Sequence, residues 1–374
     1  MQQMAWAYLI RSSDRELFKR CRRAWDFGSS ARQNLEPLRP RRVFDFDRAV
    51  HDALAVYYFP GMWEWDRAIV LPLAIDGFLK SMQKQRDRYV EHQKLSVEQE
   101  QDWDRHLELG AELLNRYFQW APAVDRFSPI RVETRFEVNV PDPLNPGQDL
   151  VAPEGIPIRY QGRIDLLAVD GSDAYWLVKH RVVEKKWSDI DQLLLDQQSV
   201  SYCWAWEHFF LGMKIAGVIY NEIRRDVSGK TDMQTDTGRA VAGAEPVAGH
   251  RRMYAQPVRE PEQVIKQQGN EFFRRTQVPR SRKELKNIGR QLALEILDMT
   301  DQGVRLYPNP SRENCAGCDY VAPCIAMNES ASVSAILETS YRTRDERAAE
   351  EGRIGGSTWS VDRGAMPPNF GQKS

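Results

Sequence analysis

From Pro129 onward the apolar positions recur with a period of two. IRVETRFEVNV (residues 130–140) alternates and predicts a half-buried strand. PDPLNPGQDL is a turn region rich in Pro and Gly, and IRYQGRIDLLAV (158–169) predicts a second strand. Asp170-Gly171-Ser172-Asp173 has hairpin chemistry and leads into a third strand, YWLVKHRVV. LLLDQQSVSYCWAWEHFFLG then reads as a helix stopped by Gly212, and IAGVIYNEI as another strand. Together these segments predict a mixed αβ core around a sheet of four or five strands.

Before Pro129 the period is helical. Residues 12–27 read as one helix capped by Ser12 or Ser13, with Asp14 and Glu16 in its first turn. Residues 46–58 form a second helix, with His51 on its apolar face, and 64–121 contain two long helical segments. After the core, residues 226–248 are polar, small and aperiodic, which predicts a flexible insertion. RRMYAQPVRE is a candidate edge strand. EQVIKQQGNEFFRRTQV and SRKELKNIGRQLALEILDMTDQG are expected to be helices. The expected organisation is one domain over 1–328, with a helical subregion at about 46–125, a cysteine cluster at 315–324, and a largely disordered tail over 329–374 after a short helix. No internal repeat is present.

Composition narrows the class. The 374 residues are 42% hydrophobic and 28% charged with a net charge of −1, an ordinary globular balance. No run approaches the length of a membrane helix, and the N-terminus lacks a secretory signal, so a cytoplasmic protein is expected, with no membrane partner. Near-neutral charge leaves nucleic acid open as a partner, because local patches do the binding; KRCRRAW, RPRR and RRTQVPRSRKELK are such patches.

Two constellations carry chemistry. Cys315-x2-Cys318-x5-Cys324 puts three soft thiolates on a short loop, a donor set for a metal cluster or for zinc. A fourth thiolate must come from Cys21, which lies among basic residues, or from Cys203, which sits in the apolar run SYCWAW. The second constellation is His51, Asp165, the 177–181 segment, and Gln198 with Tyr202, which share a helix face at i, i+4.

FKRCRRAW, AVHDAL, QGRID, Gln198-x3-Tyr202 and CAGCDYVAPC occur in that order, and with them the chain resembles the iron–sulfur branch of the PD-(D/E)xK nuclease superfamily. That branch comprises RecB-type exonucleases, including CRISPR-adaptation exonucleases and similar phage enzymes. The resemblance spans about residues 12–326. It implies a restriction-endonuclease-like α/β (α+β) core with a mixed central sheet, an N-terminal helical insert and a C-terminal segment bound to a 4Fe–4S cluster. The cluster would sit on Cys21, Cys315, Cys318 and Cys324, with zinc as the alternative. The resemblance also implies family site positions at His51, Asp165, Lys179, Arg181, Gln198 and Tyr202, with Asp165 and His51 as ligands to Mg²⁺ or Mn²⁺.

Two motifs depart from the family. The third strand should end in acid-x-Lys, but Lys179 stands at the acid and Arg181 at the lysine. If Lys179 is given the lysine role, the acid position falls on Leu177, and Asp47 stands where the histidine motif has glycine. Hard cations need oxygen ligands. An ammonium about 4 Å from Asp165 would interact on the order of 4 kcal/mol at an effective dielectric of ~20, enough to occupy the cation's place. The first expectation is therefore a catalytically impaired relative that binds DNA single strands or ends. The alternative is an active Mg²⁺- or Mn²⁺-dependent DNA exonuclease whose acid is relocated to Glu133, Glu137 or Glu184. A third reading is a structural or partner-binding protein that keeps only the fold and cluster.

Overall fold

The computed structural model describes residues 7–225, 265–329 and 332–344. The expected insertion over 226–248, the candidate edge strand RRMYAQPVRE and the tail beyond 344 lie outside them.

The chain opens with strand β1 (Tyr8–Arg11), then helices α1 (Ser12–Arg20) and α2 (Arg22–Gly28) and strand β2 (Leu35–Pro37). The helical layer follows: α3 (Phe46–Tyr57), α4 (Arg67–Val90) and α5 (Val97–Val124). The core then runs β3 (Phe127–Asn139), β4 (Ile158–Asp170), β5 (Tyr175–Val183), α6 (Ile190–Leu194), α7 (Gln197–Phe209) and β6 (Ile215–Arg224). After it come β7 (Lys266–Gly269), β8 (Phe273–Pro279), α8 (Arg282–Thr300), α9 (Arg312–Cys315), α10 (Val321–Asn328), α11 (Val333–Ser340) and β9 (Tyr341–Thr343).

Among the described residues the main sheet has seven strands rather than the four or five expected, in the order β1-β4-β5-β6-β8-β7, with β3 along the other edge of β4. It is mixed: β1–β4 and β5–β6 are parallel, and the remaining pairs are antiparallel. Part of the difference is a corrected element. Residues 266–279 form a β-hairpin, not a helix. Phe273, Arg275 and Thr276 are buried against β6, and the Asn270 side chain accepts the Phe272 and Phe273 N–H groups to close the turn. Pairing with β6 overrides the local preference of this Gln- and Glu-rich stretch for helix.

Two apolar layers cover the sheet. Leu167, Leu177, Val218 and Tyr220 pack with Trp204 of α7 and Leu292 of α8. Leu166, Ala168, Val178 and Ile219 pack on the opposite face with Leu54 of α3, Phe78 of α4 and Tyr117 of α5. The alternation is the period of two read from the sequence.

A second correction concerns residues 12–27. The helix is broken at Cys21, whose backbone is extended (φ −161°, ψ 110°) and which both ends α1 and begins α2. Its cap is also not Ser12 or Ser13: Arg11 is the N-cap, and Asp14 accepts its backbone N–H at 2.8 Å. The break lets α2 pack against the C-terminal segment. A Cβ on Gly28 would lie 2.5 Å from Tyr320 Oη, so only glycine admits that ring. Tyr320 Oη in turn donates to Leu35 O at 2.7 Å. The short helix expected before the tail is α11, and it leads into β9, which pairs antiparallel with β2. The two ends of the fold are thus joined by a small sheet and the Ala24–Phe27–Tyr320–Tyr341 cluster.

Candidate active site

β4 borders β3 along one edge and shares its other edge between two strands. Tyr8–Arg11 of β1 pair with 158–161, and β5 pairs with 166–169. Between these, residues 162–165 have no strand partner on that edge among the described residues. Beyond the Leu166–Val178 pair, β4 and β5 part, and the Asp165 carboxylate accepts the His180 backbone N–H at 2.8 Å in place of a ladder bond. A cavity of about 90 Å³ opens there, lined by Arg163, Asp165, Lys179, Gln198 and Tyr202 among others.

Gly162 shapes its wall. A Cβ at this position would lie 2.5 Å from Phe136 Cζ and 2.9 Å from Tyr202 Cε1. The glycine of the QGRID motif is therefore required by the approach of Phe136 and Tyr202, whose rings pack edge-on against each other.

His51, Glu133 and Asp165 each bring one ligand atom within 4.8 Å of the others. His51 projects from α3, with Nδ1 3.8 Å from Asp165 Oδ2 and Nε2 3.9 Å from Asp47 Oδ1. The Nε2 atom is buried and makes no hydrogen bond among the described residues. Burial disfavours the imidazolium, but Asp165, Asp47, Glu133 and Asp52 outweigh it and raise the His51 pKa. Glu133 comes from β3 with φ 44°, a left-handed conformation uncommon for a non-glycine residue, and accepts from Arg163 Nη1 at 3.1 Å. Glu137 and Glu184, the other candidates for a relocated acid, pair outside this group with Arg159 and Arg225 respectively.

Two carboxylates and an imidazole, one nitrogen of it buried without a partner, suit a divalent cation. The oxygens serve a hard ion such as Mg²⁺, and the added imidazole favours Mn²⁺. The donor set fits the metal that the family resemblance implies.

Lys179 and Arg181 share the face of Leu177 on β5, but they do not point at this group. Lys179 Nζ donates to Asp196 Oδ2 at 3.1 Å and to Gln198 Oε1 at 2.6 Å, and Arg181 Nη2 donates to the same Asp196 oxygen at 2.6 Å. Burial and the neighbouring Arg181 draw the Lys179 pKa below its ordinary value, against the pull of Asp196. Burial opposes ionisation of Asp196, yet Lys179, Ser199 and Arg181 hold its pKa down at about 2. Asp196 is the partner of both cations that sequence reasoning missed. Its signal was present: an Asp immediately before the helical run QQSVSY is an N-cap, and it caps α7 through the Ser199 N–H.

His180, between the two cations, faces the other layer. Its Nδ1 lies 2.9 Å from Asn221 Nδ2, and burial lowers its pKa to about 3, so it is neutral. Asn221 Oδ1 accepts from Arg275 Nε, which fixes the amide orientation, so His180 Nδ1 is the acceptor and the ring proton sits on Nε2. Arg275 is buried among Tyr58, Tyr117 and Asp125.

Cys21, Cys315, Cys318 and Cys324 lie at the joined ends of the fold. Cys21 Sγ accepts from Asn309 N at 3.5 Å, Cys318 Sγ from Tyr320 N at 3.4 Å, and Cys324 Sγ from Arg23 Nη1 at 3.5 Å. Cys203 is fully buried on α7, and burial raises its pKa to about 12, as suits a core thiol. Cys21, Cys318 and Cys324 are half-buried and Cys315 is exposed. Polar N–H groups approach three of the sulfurs, while burial raises the Cys318 pKa; among the described residues the ligand atoms that converge within 4.8 Å are those of His51, Glu133 and Asp165, not those of the cysteines.

Among the described residues no helix is long and apolar enough to cross a membrane. A comparison with curated proteins finds no match. The family model of the PD-(D/E)XK nuclease superfamily matches residues 12–325, most of the chain. That match agrees with a mixed sheet, covered on both faces, whose parted strands expose Asp165 beside Lys179, and the chain belongs to the PD-(D/E)XK nuclease superfamily.

Proposed function

We propose that the chain is a metal-dependent nuclease acting on DNA, with its second acidic ligand supplied by Glu133 of β3 in place of the missing acid on β5. The observation that carries this reading is the convergence of His51, Glu133 and Asp165. When bound there, Mg²⁺ or Mn²⁺ supplies activation of water and offsets charge on the phosphate. The chain's own residues do the rest. Asp165 is held by the His180 N–H, Glu133 and His51 complete the donor set, and Lys179 with Gln198 presents polar groups along the cavity where a phosphate would lie. The test is cleavage of labelled single- and double-stranded DNA with added Mn²⁺ or Mg²⁺, comparing the natural chain with Glu133→Gln and Asp165→Asn. Cleavage that survives both substitutions would sink the proposal.

Lys179 and Arg181 at the acid-x-Lys positions favour a second reading, in which the protein binds DNA without cutting it. Salt-sensitive binding with no Asp165-dependent cleavage would be its mark. In both readings Cys21, Cys315, Cys318 and Cys324 hold a 4Fe–4S cluster that clamps the C-terminal segment to the break between α1 and α2. The N–H groups on three of the sulfurs support that assignment.

A further inference from the structure

Two cations stand on β5 a short distance from a group of carboxylates, and unopposed they would pair with it. They pair with Asp196 instead. Its Oδ2 accepts from Lys179 Nζ, Arg181 Nη2 and Ser199 Oγ, the last at 2.7 Å, while its Oδ1 caps α7 through the Ser199 N–H. The side chain is 8% exposed, so its charge is poorly screened by water. Arg181 is held from two further directions: the Tyr220 ring lies 5.0 Å from its guanidinium, and Nη1 donates to Ser188 Oγ at 3.5 Å. Gln198 holds Lys179 from the other side.

We infer that Asp196 is a positioning residue that keeps Lys179 and Arg181 off the His51–Glu133–Asp165 group, so that a divalent cation and not an ammonium occupies it. The inference rests on the metal-site reading above. It accounts for a family member that carries basic residues at its acid-x-Lys positions and still presents a usable donor set: the misplaced charge is absorbed by an acid on the neighbouring helix. Of the two cations Lys179 matters more, since it lines the cavity together with Asp165.

The experiment is Mn²⁺ binding to the full chain, read from the paramagnetic resonance of free Mn²⁺ and by calorimetry, for the natural protein, Glu133→Gln, Asp196→Asn and Asp196→Asn/Lys179→Gln. Asparagine caps a helix as well as aspartate, so Asp196→Asn removes the charge and leaves the cap. The expected results are binding lost in Glu133→Gln, weakened about tenfold in Asp196→Asn, and recovered in the double variant. Thermal unfolding of the same variants separates positioning from structure: the tenfold loss in Asp196→Asn is expected in protein that remains fully folded at the assay temperature, and a loss that appears only where Asp196→Asn is partly unfolded overturns the inference. Unchanged binding in Asp196→Asn, or no recovery in the double variant, overturns the inference while the metal site stands. A natural protein that binds no Mn²⁺, or binds it equally well as Glu133→Gln, overturns the metal site and the inference with it.

Discussion

Glu133 and Asp165 fall between the pairs Val132–Leu166 and Thr134–Ile164 of the β3–β4 ladder, and each brings a carboxylate oxygen within 4.8 Å of the other. Like charges that close repel. Arg163 relieves part of that repulsion through Glu133. A divalent cation would relieve the rest. The strand pair β3–β4 can therefore supply the two carboxylates that the family otherwise draws from β4 and β5.

Proton and cation compete for His51. Its pKa is raised by the surrounding carboxylates, and only the neutral ring binds metal. Mn²⁺ affinity is expected to rise with pH through the titration of His51 and then level off. Calorimetric titrations from mildly acidic to mildly alkaline pH check this, and a flat profile would remove His51 from the ligand set. In the metal-free protein the sign is reversed. A raised folded pKa contributes stability that is complete below the unfolded value of about 6.5 and is lost as pH rises through the folded value.

Asp196 acts in the acid range. Its folded pKa of about 2 lies below the ordinary 3.8, so it stabilises the fold above the unfolded value, by on the order of 2 kcal/mol. That contribution is lost as pH falls from about 4 to about 2. Denaturant unfolding against pH should show this slope in the natural protein and a shallower one in Asp196→Asn. Identical slopes would mean that the Lys179 and Arg181 contacts contribute nothing to stability.

Gly162→Ala should force Phe136 or Tyr202 aside, at a cost of about 1–3 kcal/mol in unfolding free energy. Because Tyr202 lines the cavity beside Asp165, cleavage should fall by more than the loss of folded protein explains. Unaltered stability would show that the wall yields easily.

The cysteine assignment predicts a brown protein after anaerobic purification, with iron in excess of zinc. Cys21→Ser should lower bound iron and loosen α9 and α10, which limited proteolysis would detect. Zinc without iron would replace the cluster by the zinc alternative, and neither metal would remove both.

Much of this was legible in the chain. The period of two gave β3, β4 and β5, the Asp170–Asp173 turn lies between β4 and β5, and the i, i+4 spacing put Gln198 and Tyr202 on one cavity wall. What was hidden depends on long-range pairing. The β7–β8 hairpin is made by β6, β1 takes its place only beside β4, and beyond the break at Cys21 α2 packs through Gly28 against the distant Tyr320. Glu133 stood among three candidate acids because register, not composition, selects it. Asp196 was overlooked because its capping role concealed its role as a countercharge.

The most direct measurement is DNA cleavage in Mn²⁺ by anaerobically purified natural protein beside Glu133→Gln and, as a control, Glu137→Gln. The account predicts cleavage that Glu133→Gln reduces by at least about a hundredfold and Glu137→Gln leaves intact. Equal cleavage in all three, or none in the natural protein, would contradict a metal site completed by Glu133.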